Sequence, residues 1–304
     1  MVNTALVGAG YWGSKLQSTL EKIKTCKVVQ VIDIKQNQTL DDLQDNVEAV
    51  VIATPAWEHH KDVLKAMKKN LHVYVEKPMC ISNQEASEIV KNYNGKTFMV
   101  GHIFLYNKCV QELKKEIRPE RIMYIEIERQ NWGRYQHKIS PIQSFAPHDF
   151  AILDYWLGKL DIDNIDVKGH YITQTEQPDH IDSHFKCHNQ KLFVGPIDVS
   201  MRYSWSCPSK VRMIRIHEDN RVIEYDDTHH SVTILYPSMK DGRFNYEPTK
   251  HVSTFTDHSP LEAEMEHFFD CIENTIIPMS DQFNGMRITA LTNQLDDALT
   301  QSKI

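Results

Sequence analysis

The chain is expected to be α/β, with a doubly wound parallel sheet in residues 1–102 and an α+β domain with a large open, mostly antiparallel sheet in 103–304. Three observations support this. Short apolar runs alternate with amphipathic stretches through the first hundred residues. A glycine-rich turn joins the first run to the first amphipathic stretch. Beyond about residue 102 the rhythm changes to long segments of period two. Parallel strands need crossovers, usually helices, on both sheet faces, so alternation with short loops specifies a parallel sheet.

Ala5-Leu6-Val7 forms the first strand, and residues 14–23 a helix. The second strand, 28–32, ends at Asp33, and 49–53 is the most apolar strand of the chain. Thr54-Pro55 closes it and opens a helix through Met67. A strand over 71–75, a helix over 83–93 and a strand over 97–100 complete the unit. In the second half, 107–117 reads as a helix, 122–129 alternates as a strand, and 147–158 is a helix closed by Gly158. Alternating segments fill 165–235. Pro260 opens an acidic helix in which Glu262, Glu264 and Glu266 suit the positive end, and 287–302 is the last helix.

The 304 residues are 41% hydrophobic and 25% charged, an ordinary globular composition that excludes disordered and fibrous classes. Net charge is −7, against a nucleic-acid binder that relies on a basic surface. No apolar run approaches the ~18 residues that cross a bilayer, so no membrane partner and a cytoplasmic location are expected. The six cysteines are scattered without a CxxC pair, as reduced structural thiols would be. His180, His184 and His188 have helical spacing, but the segment alternates polar and apolar residues. That is a strand's period, with the histidines apart on its polar face, so no metal site is expected.

Gly8-Ala9-Gly10-Tyr11-Trp12-Gly13 is GxGxxG between a strand and a helix, the placement of a Rossmann dinucleotide loop. Gly8, Gly10 and Gly13 allow a tight turn and close backbone approach, so a pyrophosphate can sit at the helix N-terminus. The bland alternative is a turn that only lets helix and strand pack. Asp33, with Ile34 beside it, ends the second strand, where a carboxylate can accept from ribose hydroxyls. It would repel a 2′-phosphate, favouring NAD over NADP, although Lys35 opposes that preference.

Glu76-Lys77-Pro78 ends another strand, and ligands of such sheets bind beyond the carboxyl ends of the strands. Lys77 could polarise a carbonyl or bond a hydroxyl there, or be merely a solvated strand-end lysine. Arg129, Asn131, Arg134, Lys210 and Arg212 could face a diphosphate, since the guanidinium fork suits phosphate, or could be exposed strand-end charges. His148 could exchange a proton near neutral pH, or simply cap a helix start. His59-His60 and His229-His230 read as loop or helix-start residues.

Glu76-Lys77-Pro78 resembles the signature of the Gfo/Idh/MocA oxidoreductases, and the resemblance extends along most of the chain. Thr54-Pro55-Ala56-Trp57-Glu58-His59 is similar to that family's T-P-x-x-x-H segment, and 100–107 to its crossover into the second domain. Segments 128–134 and 146–149 resemble a branch acting on nucleotide-activated sugars, and 204–212, 225–227 and 260–264 continue the likeness.

The resemblance implies an NAD-dependent dehydrogenase or reductase acting on a sugar secondary alcohol or ketone. Tyr11, Trp12, Thr54, Pro55, His59, Glu76 and Lys77 would join the glycines, Asp33 and Ile34 around the cofactor. Lys77 would polarise the reacting oxygen and His148 exchange its proton, with Arg129, Asn131, Arg134, Ser144 and Lys210 on the substrate. The second domain's open sheet face would make a homodimer or homotetramer. Family members usually carry Asp four residues before this histidine, whereas this chain has Ser144. A free polyol, an inositol or a glycoside remains an alternative substrate. Ser144 also leaves open a non-catalytic NAD-binding sensor.

Overall fold

The computed structural model describes residues 1–133, 135–189, 191–253 and 259–301. These divide into two compact units, Met1–Tyr106 with Asp257–Ala290 and Asn107–Thr256 with Leu291–Ile304, each taken over its described residues. The sequence places everything after residue 102 in the second unit, yet 257–290 returns to the first. The reason is apolar: Leu261, Met265, Phe268 and Phe269 are buried, and Phe268 sets its ring edge-on to Tyr74 at 5.8 Å.

The first unit is a five-stranded parallel sheet of β1 (Val2–Val7), β2 (Cys26–Ile32), β3 (Ala49–Ile52), β4 (His72–Glu76) and β5 (Phe98–Gly101). Its order is β2-β1-β3-β4-β5, so the chain switches direction between β1 and β3. Helices α1 (Tyr11–Leu20), α2 (Ala56–Lys68) and α3 (Asn83–Lys91) are the crossovers. All four residues of β3 are buried, as helices on both faces require of a central strand. Burying each such Val or Ile side chain contributes roughly 1.5–3 kcal/mol. In α2 the buried His59, Val63, Ala66 and Met67 form one stripe, with Glu58 in the first turn and Lys65 and Lys68 in the last complementing the helix dipole. The parallel arrangement lines up the residues that follow each strand: Gly8, Asp33, Ala53-Thr54, Lys77 and His102 all lie at the carboxyl edge.

The second unit carries an eight-stranded sheet of β6 (Ile122–Trp132), β7 (Asp161–His170), β8 (His180–His188), β9 (Ile197–Ser204), β10 (Ser206–Glu218), β11 (Val222–Asp226), β12 (Ser231–Lys240) and β13 (Arg243–Ser253). The order is β13-β12-β11-β10-β6-β9-β8-β7, antiparallel except for β6 with β9. One face is apolar, including Ile125, Ile127, Val199, Met201, Ile181 and Phe185. Helix α5 (Pro141–Leu157) packs on β8 and β9, with Phe150 6.0 Å from Phe185. The opposite face carries ion pairs such as Arg215–Glu224 and Arg202–Asp182. β8 has the expected strand period, with Ile181, Ser183, Phe185 and Cys187 inward and the histidines on the polar face.

Helix α5 begins at Pro141, six residues earlier than Pro147 suggests as a start. Ser140 and Gln143 form a capping box and Pro141 sits at the first helical position, so the start signal lies upstream. Pro147 is inside the helix, where it withholds one backbone donor. The remaining helices are α4 (Lys108–Glu116), α6 (Pro260–Asn274, capped by Ser259) and α7 (Gln282–Gln301). Among the described residues no helix is long and apolar enough to cross a membrane.

Candidate active site

The glycine loop has the shape its sequence calls for. Gly8 has φ +96°, and a Cβ there would lie 2.8 Å from the Ala53 carbonyl carbon and oxygen. A Cβ on Gly13 would overlap the Gly8 carbonyl oxygen. Gly10 caps α1 without any side-chain hydrogen bond, and a Cβ there would meet nothing within 4 Å. The N-terminus of α1 therefore has no side-chain cap and lies beside a backbone that only glycine permits, which fits a pyrophosphate. Asp33 bridges the end of β2 to this loop: its Oδ2 accepts from Ala9 N at 3.2 Å and its Oδ1 from Lys35 N at 2.8 Å. Tyr11 and Ile34 are strongly exposed, as surface available to a flat ring would be.

The turns after β3 and β4 are joined by His59. It is buried, with Nε2 2.8 Å from Thr54 O and Nδ1 2.7 Å from Pro78 O. Burial pushes the imidazole below its ordinary pKa, against the pull of those two carbonyls. Both ring nitrogens are committed to main chain, so His59 braces the two turns and keeps no ring nitrogen to offer a cofactor. It is the fourth residue of α2, the helix-start alternative of its expected placement. Thr54 Oγ1 donates to Asp62 Oδ2 at 2.8 Å, which fixes the Thr54-Pro55 turn from inside α2.

Glu76 and Trp12 are likewise turned to each other: the indole Nε1–H donates to Glu76 Oε1. Glu76 also accepts from Tyr74 Oη at 3.1 Å and from Lys77 N at 3.3 Å. These contacts take up the Trp12 indole N–H and both carboxylate oxygens of Glu76. Lys77 is half-buried at the start of a turn that the cis Lys77–Pro78 peptide shapes.

His102, which follows β5, was legible only as part of the crossover segment. It is 1% exposed, and among the described residues neither ring nitrogen has a hydrogen-bonding partner. Burial and then the Lys77 charge push its pKa down to about 3, so the ring is neutral at pH 7. A buried imidazole at the carboxyl edge, close enough to Lys77 to feel its charge, is a residue that periodicity alone could not single out.

In the second unit Ser144 and His148 are four residues apart in α5, one turn apart on the same side of the helix. His148 is therefore a mid-helix residue, not one at a helix start. Ser144 is buried and accepts from Gln136 Nε2 at 3.4 Å. The neighbouring Asp149 is fully buried, and Arg129 Nε donates to its Oδ1 at 2.6 Å. Burial works against the Arg129 cation, but Asp149 and Asp227 outweigh it and hold the guanidinium more firmly protonated.

Arg129 thus ties β6 to α5 with its charge turned inward. The expected diphosphate-facing set is corrected at that position: a guanidinium 4% exposed and already paired is not offered to a substrate. Arg212 donates to Asp227 Oδ2 at 3.2 Å, Lys210 is exposed and Asn131 half-buried. Arg134 lies outside the described residues. Among the described residues no cluster of three His, Cys, Asp or Glu side chains could hold a metal ion, and His170 and His180 instead flank Asp182 at 3.4 and 3.5 Å.

Residues 2–102 match the oxidoreductase family with an NAD-binding Rossmann fold. The 2,7-anhydro-N-acetylneuraminate hydratase of Mediterraneibacter gnavus is 32% identical over 158 residues, 46% of this chain and 42% of that protein. The chain therefore aligns with less than half the length of this curated relative. The scyllo-inositol 2-dehydrogenase (NAD(+)) of Bacillus subtilis is 24% identical over 247 residues, 77% of this chain and 70% of that one. The UDP-N-acetylglucosamine 3-dehydrogenase of Acidithiobacillus ferrooxidans has the same fold, with a TM-score of 0.82 at 20% identity over 98% of this chain and 97% of that one. With its glycine loop, terminal Asp33 and Glu76-Lys77-Pro78 turn, the region 2–102 is the part of the chain that matches the Gfo/Idh/MocA oxidoreductase family.

Proposed function

We propose that the chain is an NAD-dependent oxidoreductase acting on a secondary alcohol or ketone of a sugar, with a nucleotide-activated sugar of the UDP type as the favoured class. The observation that carries this reading is the row of Gly8, Asp33, Thr54 and Lys77 along the carboxyl edge of the parallel sheet. NAD, when bound, supplies the nicotinamide carbon that takes up or releases hydride. The α1 N-terminus holds the pyrophosphate, and Asp33 accepts from the adenosine ribose and disfavours a 2′-phosphate.

Lys77 donates a hydrogen bond to the reacting oxygen and stabilises charge that develops there. His148 takes the hydroxyl proton on oxidation and returns it on reduction. Ser144 offers a hydroxyl but no charge to support the imidazolium, so His148 works without the carboxylate usual in the family. His148→Ala should lower turnover about 10²–10⁴-fold while the NADH dissociation constant stays put, measured by NADH fluorescence. The open sheet face of the second unit is proposed to build a homodimer or homotetramer, which light scattering decides.

A second reading is favoured by the hydratase relative: transient oxidation of an anhydro-sugar or glycoside, with no net change in the cofactor. A panel of UDP-, GDP- and dTDP-sugars, free polyols and anhydro-sugars separates the two. Net NADH formation with a nucleotide sugar supports the first. Product without net NADH supports the second. NADH binding with no turnover on any panel member, and His148→Ala indistinguishable, would leave a non-catalytic sensor.

A further inference from the structure

Behind the Glu76-Lys77-Pro78 turn lies a buried chain of three groups that share too few protons. Tyr74 Oη stands 3.1 Å from Glu76 Oε1 and 3.1 Å from Glu264 Oε2. Tyr74 and Glu264 are fully buried and Glu76 nearly so. A phenol carries one proton and can donate to one carboxyl only. If both carboxyls were ionised, the other contact would set oxygen lone pairs against each other at hydrogen-bond distance in a low-dielectric site.

The surroundings decide which carboxyl carries the extra proton. Glu76 collects three donors, the Trp12 indole N–H, the Tyr74 hydroxyl and the Lys77 backbone N–H, with the Lys77 charge nearby. Glu264 lies beside Tyr74, Glu76 and Tyr106, and among the described residues it forms no ion pair. Among the described residues its Oε1 has no hydrogen-bonding partner. We propose that Glu264 is a positioning residue: as the neutral acid it donates to Tyr74, which directs the Tyr74 hydroxyl onto Glu76, whose carboxylate grips Trp12 of the glycine loop and the backbone of Lys77.

Burial raises both carboxyls, but Trp12, the Lys77 charge and Tyr74 pull Glu76 back down, whereas only Tyr74 does so for Glu264. Burial first, then the Glu76 charge, push the Glu264 carboxyl well above the usual carboxylate range. Burial also raises Tyr74, so the phenol stays protonated. Space for the chain is kept by Gly101, where a Cβ would overlap Tyr74 Oη and lie 3.2 Å from Glu76 Cδ. Helix α6 delivers Glu264 from 190 residues away in sequence, which is why its return to the nucleotide unit bears on the site.

The consequence for catalysis rests on the dinucleotide reading above, but the test begins with ligand-free protein. Between the ordinary pKa of an unfolded glutamic acid and the raised folded value, the native state holds one more proton than the unfolded state. Stability therefore falls as pH rises through that window, by about tenfold in the unfolding constant per pH unit. Glu264→Gln keeps the shape and a donor for Tyr74 but cannot ionise. Urea titrations at several pH values should show a slope shallower by one proton in this variant than in wild type. Equal slopes overturn the proposal, because Glu264 would then be ionised in the native protein.

Positioning is read from the Trp12 indole N–H by nitrogen-15 NMR, its peak assigned with Trp12→Phe. Wild type and Glu264→Gln should protect it alike at pH 7, and Tyr74→Phe should raise its exchange rate at least tenfold. Unchanged exchange in folded Tyr74→Phe would leave Glu264 a mere buried acid and refute the positioning role. Should Glu264→Gln not fold, the proposal fails as well, since a neutral isostere must be tolerated. NADH titration is the last arm. If no variant and no wild type binds NADH while the slope and exchange results hold, the dinucleotide reading fails and the proton chain stands.

Discussion

Both units bury a polar network beneath their functional residues, and they neutralise it in opposite ways. In the nucleotide unit Glu76, Tyr74 and Glu264 are acids with no arginine among them, and the charge is reduced by keeping a proton. In the second unit Arg129 and Asp149 form a 2.6 Å ion pair, with Asp227 held by Tyr225 at 2.9 Å and by Arg212. The carboxyl stack has no cation of its own, whereas in the second unit Arg129 opposes the burial that raises the Asp149 carboxyl. The first unit therefore lowers its buried charge with a proton, and the second pairs it with an arginine under the His148 helix.

The sharpest way to break this contrast is Asp149→Ala, which strands the Arg129 cation in the core. The expected loss is ~3–5 kcal/mol of unfolding free energy, read by denaturant titration. Replacing both partners by leucine should recover most of it, because an apolar pair leaves no uncompensated charge. A loss below about 1 kcal/mol would mean that the pair is not what fixes the helix.

Asp33→Ser tests the edge of the nucleotide unit. Losing one charge-assisted acceptor for ribose should weaken NAD by ~1.5–3 kcal/mol, about ten- to hundredfold, and improve NADP relative to it. Dissociation constants for both cofactors decide this. A wild-type preference for NADP would give Lys35 control of the pocket.

The smallest expected effect is at His102. Removing an unpaired buried polar ring relieves desolvation, so His102→Leu should leave the ligand-free melting temperature unchanged or higher, by up to ~1–3 kcal/mol of stability. The same change should weaken substrate or NADH binding. A fall in stability with binding intact would make His102 a packing residue.

The residues that repeat locally were legible from the chain alone. Apolar runs at 49–53 and 71–75, the glycine loop, Asp33 and Lys77 all stand where strand-helix alternation places them. Strand boundaries shift by a residue or two because period says which residues seek burial, not where the last hydrogen bond closes. Pro147 drew the α5 start too late, since a proline inside a helix and one at its first turn look the same without the upstream cap.

Sequence by itself determined the class of each half: period and glycine placement specify a parallel sheet with a phosphate-binding turn, then a sheet of alternating strands. Tertiary structure alone decided the fate of the charges. Glu264 reads as a first-turn acid and Arg129 as an anion binder, because isolated charges default to water. Their burial depends on partners 190 and 20 residues away, Tyr74 and Asp149. Nothing local encodes such a partner. A buried charge is tolerable only where the fold brings the counter-charge or keeps the proton, and that is settled when the elements pack.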